Sequence, residues 1–161
     1  MPRFLLALAA ACPGVAPGAW AEQGGEMPTG HLEGAAPEFR AWLPRALEGD
    51  ARAAFELGAA FAHGAGRAED YAEAARWYRK AAERGNPRAQ HDLAVLYGKG
   101  LGVPQDYVRA YVWFDLAAAG FGHGRRRERA IELRDMMAAF MTPAERAEAE
   151  RLAQAWQGAT K

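Results

Sequence analysis

Residues 69–85 read EDYAEAARWYRKAAERG, and residues 105–121 read QDYVRAYVWFDLAAAGF, the same pattern displaced by 36 positions. What holds between them is Asp70/Asp106, Tyr71/Tyr107, Ala74/Ala110, Trp77/Trp113, Tyr78/Phe114 and Ala81-Ala82/Ala117-Ala118, while nearly every charge changes. The period extends upstream through Ala53/Ala89, Leu57/Leu93, Phe61/Tyr97, Gly64/Gly100 and Gly66/Gly102. Fixed apolar positions among drifting charges are packing surfaces repeated in a stack, with the charges facing solvent.

Each unit decodes as two antiparallel helices. Ala53, Leu57 and Phe61, like Ala89, Leu93 and Tyr97, fall at i, i+4 and i+8 and give a first helix one apolar stripe. Asn86-Pro87 supplies an N-cap and a first-turn proline to the second copy, and Gly64-Ala65-Gly66 and Gly100-Leu101-Gly102 end the first helices. Asp70 with Glu73 is expected to form a capping box, of which Asp106 with Arg109 keeps only half. On the second helix, small alanines let a neighbour approach while Trp77 or Trp113 fills the remaining gap. A lone hairpin cannot cover that indole, so stacking is required. β-Branched residues are scarce after residue 21, which leaves strands without their usual material. The chain therefore reads as all-α, an αα-hairpin repeat solenoid.

Its ends are expected to differ from its middle. Residues 1–21, MPRFLLALAAACPGVAPGAWA, have one positive charge, a short apolar run and the small-x-small site Ala19-Trp20-Ala21, as in a signal peptide cleaved after Ala21. Lipid attachment through Cys12 fits less well, because Ala9 stands where leucine is usual. Residues 22–38 are rich in Gly and Pro and read as a spacer. The repeat domain is expected over 39–157: a degenerate second helix at 39–48 with Trp42 and Ala46, repeats at 49–84 and 85–120, and capping helices within 122–157. In that last segment Ala130, Leu133, Met137 and Phe140 share a face, Thr142 and Glu145 form a second capping box, and Leu152 and Trp156 close the stack.

Composition removes several function classes. The 161 residues hold 20 basic and 20 acidic side chains, and loss of Arg3 with the leader leaves 19 against 20, so no field advertises nucleic acid. There is no serine, and the only cysteine, Cys12, leaves with the leader, so serine and cysteine nucleophiles are excluded and disulfides are absent from the mature chain. His31, His63, His91 and His123 have no metal-ligand spacing, no cofactor is implied, and Gly98-Lys99-Gly100-Leu101-Gly102 follows a helix as a turn, without phosphate-loop form. Glu69/Asp70 and Glu148/Glu150 sit at a helix start and on a polar face. The run Arg125-Arg126-Arg127-Glu128-Arg129 is read as a solvated helix face, with an anionic lipid or acidic partner as the alternative.

The unit A-x-x-x-L-G-x-x-F…G-x-G…D-Y-x-x-A-x-x-W-Y-x-x-A-A resembles the Sel1-like repeat, a relative of the tetratricopeptide repeat, over residues 49–121. The segment MTPAERAEAERLAQAW is similar to the C-terminal part of short secreted bacterial members. The resemblance implies a right-handed superhelix and a non-enzymatic role in protein–protein interaction, as an adaptor or regulator in the bacterial envelope, with a periplasmic or secreted location. Some cysteine-rich members are associated with β-lactam binding or turnover, but they rely on a disulfide in each repeat that this chain lacks. A hydrolase acting on cell-wall material and a self-assembling structural subunit remain the alternatives. The resemblance names no partner beyond a protein or peptide, and the sequence leaves the oligomeric state open. Ala94 in place of Gly58 and Phe121 in place of Gly85 depart from the repeat, the first expected to part its two helices slightly.

In superhelices of this kind the first helices line the concave side. Arg52, Phe55 and Ala59 avoid the Leu57/Phe61 stripe, and the period sets them beside Arg88, His91 and Val95. Two guanidinium forks, two flat rings and an apolar floor form a candidate groove for a carboxylate-bearing peptide or helix. The same pattern is met if Phe55 packs between repeats and the arginines are solvated.

Overall fold

The computed structural model describes residues 37–64 and 70–159. The leader, most of the spacer, residues 65–69 and residues 160–161 lie outside the described residues. Among the described residues there are seven helices and no strand: α1 Pro37–Leu47, α2 Ala51–Ala62, α3 Tyr71–Glu83, α4 Pro87–Lys99, α5 Tyr107–Gly120, α6 Arg125–Ala138 and α7 Pro143–Ala159. Pro37 and Glu38, read from sequence as spacer, open α1, where a proline at the start costs no hydrogen bond.

Helix boundaries follow the repeat. Asp50 accepts from the N–H groups of Arg52 and Ala53 at 2.9 and 3.1 Å, and Asn86 accepts from those of Arg88 and Ala89 at 3.0 and 3.1 Å. Asp70 and Asp106 likewise cap α3 and α5 through the N–H of Glu73 at 3.0 Å and of Arg109 at 2.9 Å. The capping box expected at Asp70 and Glu73 is not completed. The Asp70 N–H donates instead to the Phe61 carbonyl at 3.0 Å, and Glu73 turns to Arg76 at 2.8 Å. The second unit repeats this link, Asp106 N–H to Tyr97 carbonyl at 3.0 Å, so each hairpin is tied across its loop and has no need of the glutamate. At the end of α4, Gly100 adopts the left-handed conformation (φ 68°).

Successive helices pack on one another from α1 to α6, and α7 packs on α5. The largest fully buried side chains are Trp77, Tyr78, Tyr97, Phe114, Leu57 and Leu93, the repeated positions of the sequence. Trp77 is 1% exposed and Trp113 7%, so both indoles are shielded by neighbouring helices as the stack requires. Removing such a side chain costs about 3–5 kcal/mol. Gly58 is a notch for Tyr78: a Cβ there would lie 2.6 Å from the ring. The corresponding Ala94 is fully buried. Gly102 brings the second unit against the first, since a Cβ there would lie 2.2 Å from the carbonyl carbon of Tyr71. At the upstream end Phe39 and Ala46 are buried, Phe39 meets Phe61 edge-on at 5.0 Å, and Trp42 is half-buried.

Beyond α5 the chain leaves the 36-residue period but keeps building on the same core. Asp115 joins three helices, accepting from Arg134 of α6 at 2.8 Å and from Gln157 of α7 at 3.1 Å. Leu152 is buried, and Trp156 meets Trp113 edge-on at 5.3 Å. The Thr142–Glu145 box closes in both directions, with Thr142 N–H to Glu145 at 2.8 Å and Glu145 N–H to the Thr142 hydroxyl at 3.3 Å. Phe140 departs from expectation. Ala130 and Met137 are buried and Leu133 is partly so, but α6 ends at Ala138, which carries Phe140 into the turn, 64% exposed and stacked on Tyr107 at 4.8 Å.

Candidate protein-binding groove

An open groove of about 410 Å³ crosses α2, α4 and α6. Its lining combines Phe55 from α2, Arg88, His91 and Asp92 from α4, Phe121 just past α5, and Arg125, Arg126 and Arg129 from the first turns of α6. The helices put these residues there by what they bury elsewhere. Leu57 and Phe61, and Leu93 and Tyr97, take the core side of α2 and α4, leaving Phe55, Arg88 and His91 on the flank. On α6 only Ala130, Met137 and Ala138 are buried, so its arginine-rich start faces the open side.

The aromatic part is held from behind. The Phe55 ring lies 5.8 Å from Tyr78, and His91 meets Phe114 edge-on at 5.5 Å and Phe121 at 6.3 Å. Gly120 helps bring Phe121 to His91, because a Cβ there would sit 2.9 Å from Pro87. Burial, together with the charges of Asp92 and Glu56, pushes the Tyr78 hydroxyl well above the ordinary tyrosine range, so the ring behind Phe55 stays neutral.

Charge in the groove is one-sided. Four arginines face one carboxylate, Asp92, and that carboxylate is engaged by His91 Nδ1 at 2.9 Å. Arg129 pairs with Glu132 at 3.0 Å, but Arg88, Arg125 and Arg126 have no ion pair among the described residues. Gly124 caps α6 without a side-chain hydrogen bond, so the positive end of that helix adds to the same field.

Of the six residues singled out from sequence, Phe55, Arg88 and His91 line the groove together. Arg52 is exposed on the first turn of α2 and does not line it, while Ala59 and Val95 are half-buried and pack against the core. The sequence reading does not reach Asp92 or Phe121, and it takes the arginines of α6 as a solvated face, with an anionic lipid or acidic partner as the alternative, without bringing them to the groove. The period points to that region without placing its side chains: first helices starting at 51 and 87 project a third at 123, whereas α6 starts at 125. Among the described residues no three His, Cys, Asp or Glu side chains form a group able to hold a metal ion, and no helix is long and apolar enough to cross a membrane. His63 and His123 are exposed.

Hairpins stacked at a fixed period, with a groove across their first helices, define an α-solenoid. Residues 51–86 and 87–120 each match the Sel1 repeat, so the chain carries two Sel1 repeats. Two solved structures are similar. One is a protective antigen present in uropathogenic Escherichia coli strains, displaying an SLR fold, with 30% identity, a TM-score of 0.66 and coverage of 95% of this chain and 36% of that one. The other is a Sel1 repeat protein from Oxalobacter formigenes, with 28% identity, a TM-score of 0.50 and coverage of 69% and 51%. This chain thus spans about a third of the length of the first and half of the second. No curated protein matches it. Sel1 repeats commonly serve as protein-interaction modules.

Proposed function

We propose that this protein is a non-enzymatic interaction module of the bacterial envelope, an adaptor or regulator that docks a segment of another envelope protein in the groove across α2, α4 and α6. The observation that carries this reading is the joining, in one cleft, of half-buried rings and of guanidinium groups that have no ion pair among the described residues, from successive units. Isolated solvated arginines would have no reason to surround aromatic side chains that water should avoid. The expected leader supports an exported location, and the likeness to a protective antigen of Escherichia coli is in keeping with it.

The test is affinity capture from envelope extracts with the wild-type chain and with a Phe55→Ala/Arg88→Glu variant whose circular dichroism is unchanged. The wild type is expected to retain a partner that the variant loses. Equal retention by both would remove the groove from the function. Fractionation of cells expressing the full chain checks the location: accumulation of unprocessed protein in the cytoplasm contradicts an envelope role.

A further inference from the structure

We infer that the groove takes an acidic peptide segment in which a bulky apolar side chain is flanked by carboxylates. The inference rests on the docking reading above and adds the chemistry of the occupant.

Charge sets one half of that chemistry. The whole chain is balanced, with 20 basic and 20 acidic side chains, so the excess in the groove is local and does not reflect a basic protein. Arg88, Arg125 and Arg126 have no ion pair among the described residues, and a guanidinium group binds a carboxylate through two parallel hydrogen bonds. The single acidic member, Asp92, faces four arginines, so the groove does not neutralise itself.

The rings set the other half. Phe55 and Phe121 are half-buried within the same cleft, and His91 between α2 and α6 leans on Phe114 and Phe121. An all-acidic ligand would leave these rings in water, whereas an apolar side chain seated on them buries surface on both partners. A volume of about 410 Å³ accommodates one large side chain with its adjoining backbone. A flat anionic bilayer reaches the rim of such a cleft but not its rings.

The test uses the full chain and fluorescein-labelled peptides with the core Glu-Glu-Phe-Glu-Glu, Gln-Gln-Phe-Gln-Gln or Glu-Glu-Ala-Glu-Glu, read by fluorescence anisotropy. The first is expected to bind about tenfold more tightly than either of the others, with affinity falling as salt rises. Arg88→Glu/Arg126→Glu should weaken the acidic peptide by at least about tenfold, and Phe121→Ala should abolish the preference for Phe over Ala. Helical circular dichroism of each variant shows that it remains folded. Equal binding of the acidic and glutamine peptides, no binding of any peptide, or tighter binding of oligothymidylate or phosphatidylglycerol vesicles would overturn the inference. If Phe121→Ala weakens the acidic and glutamine peptides alike while charge reversal changes nothing, docking stands and the acidic specificity falls. If no groove variant alters the binding of any peptide, both fall.

Discussion

Tyr78 is buried because residue 58 has no side chain. Its ring occupies the space that a Cβ on Gly58 would enter at 2.6 Å, and with 2% of its surface exposed it has no open side to move into. Gly58→Ala should therefore cost about 1–3 kcal/mol through overpacking, despite the better helix propensity of alanine. The measurement is the urea midpoint, and an unchanged or raised midpoint would show that the ring relocates freely. From sequence, Gly58 and Ala94 are visible only as a break in the repeat, with alanine cast as the residue that parts the helices. The identity of the ring in the notch depends on the approach of α3 to α2, which the local sequence does not encode. Trp77 and Trp113 were legible because large residues at a fixed period among alanines have only the stack to hide in.

At the level of the helix, two similar motifs behave differently. The carboxylate of Glu145 accepts from the Thr142 N–H and hydroxyl, which holds it below its ordinary value of 4.5. The unfolded chain therefore binds this proton first as pH falls. The stabilisation is fully present above pH 4.5 and is lost as the pH drops through the lowered value of the folded state. Glu145→Gln should reduce the steepness of acid unfolding followed by circular dichroism. Glu73→Gln should change stability by no more than about 0.5 kcal/mol, since it disturbs only a pair with Arg76 and leaves the Asp70 cap intact. Identical acid profiles for Glu145→Gln and wild type would show that the box at Thr142 contributes nothing. A capping box can be recognised from four letters only where the N-cap N–H is free. At Asp70 it is taken by Phe61 from the preceding helix, a partner that the motif does not contain.

Across the whole molecule, the downstream helices share the core of the repeats and are also tied to α5 through Asp115. Asp115 holds both Arg134 and Gln157, so Asp115→Ala should cost about 2 kcal/mol and raise hydrogen exchange selectively in α6 and α7. Uniform exchange across all helices would instead mean that the array opens as one unit. The two repeats and their hairpin order could be read directly from the 36-residue period, but the arginines of α6 could not be assigned a face. The first helices of the repeats begin 36 residues apart at 51 and 87, yet α6 begins 38 residues after α4, following Phe121-Gly122-His123-Gly124. Two extra residues rotate a helix by about 200°, enough to exchange its inner and outer sides. Three of the four groove arginines stand on the first turns of this helix. Fraying at the downstream end would therefore silence recognition while most of the helical content survives, and a bound segment bridging α4 and α6 would act as a clasp that keeps the end from opening.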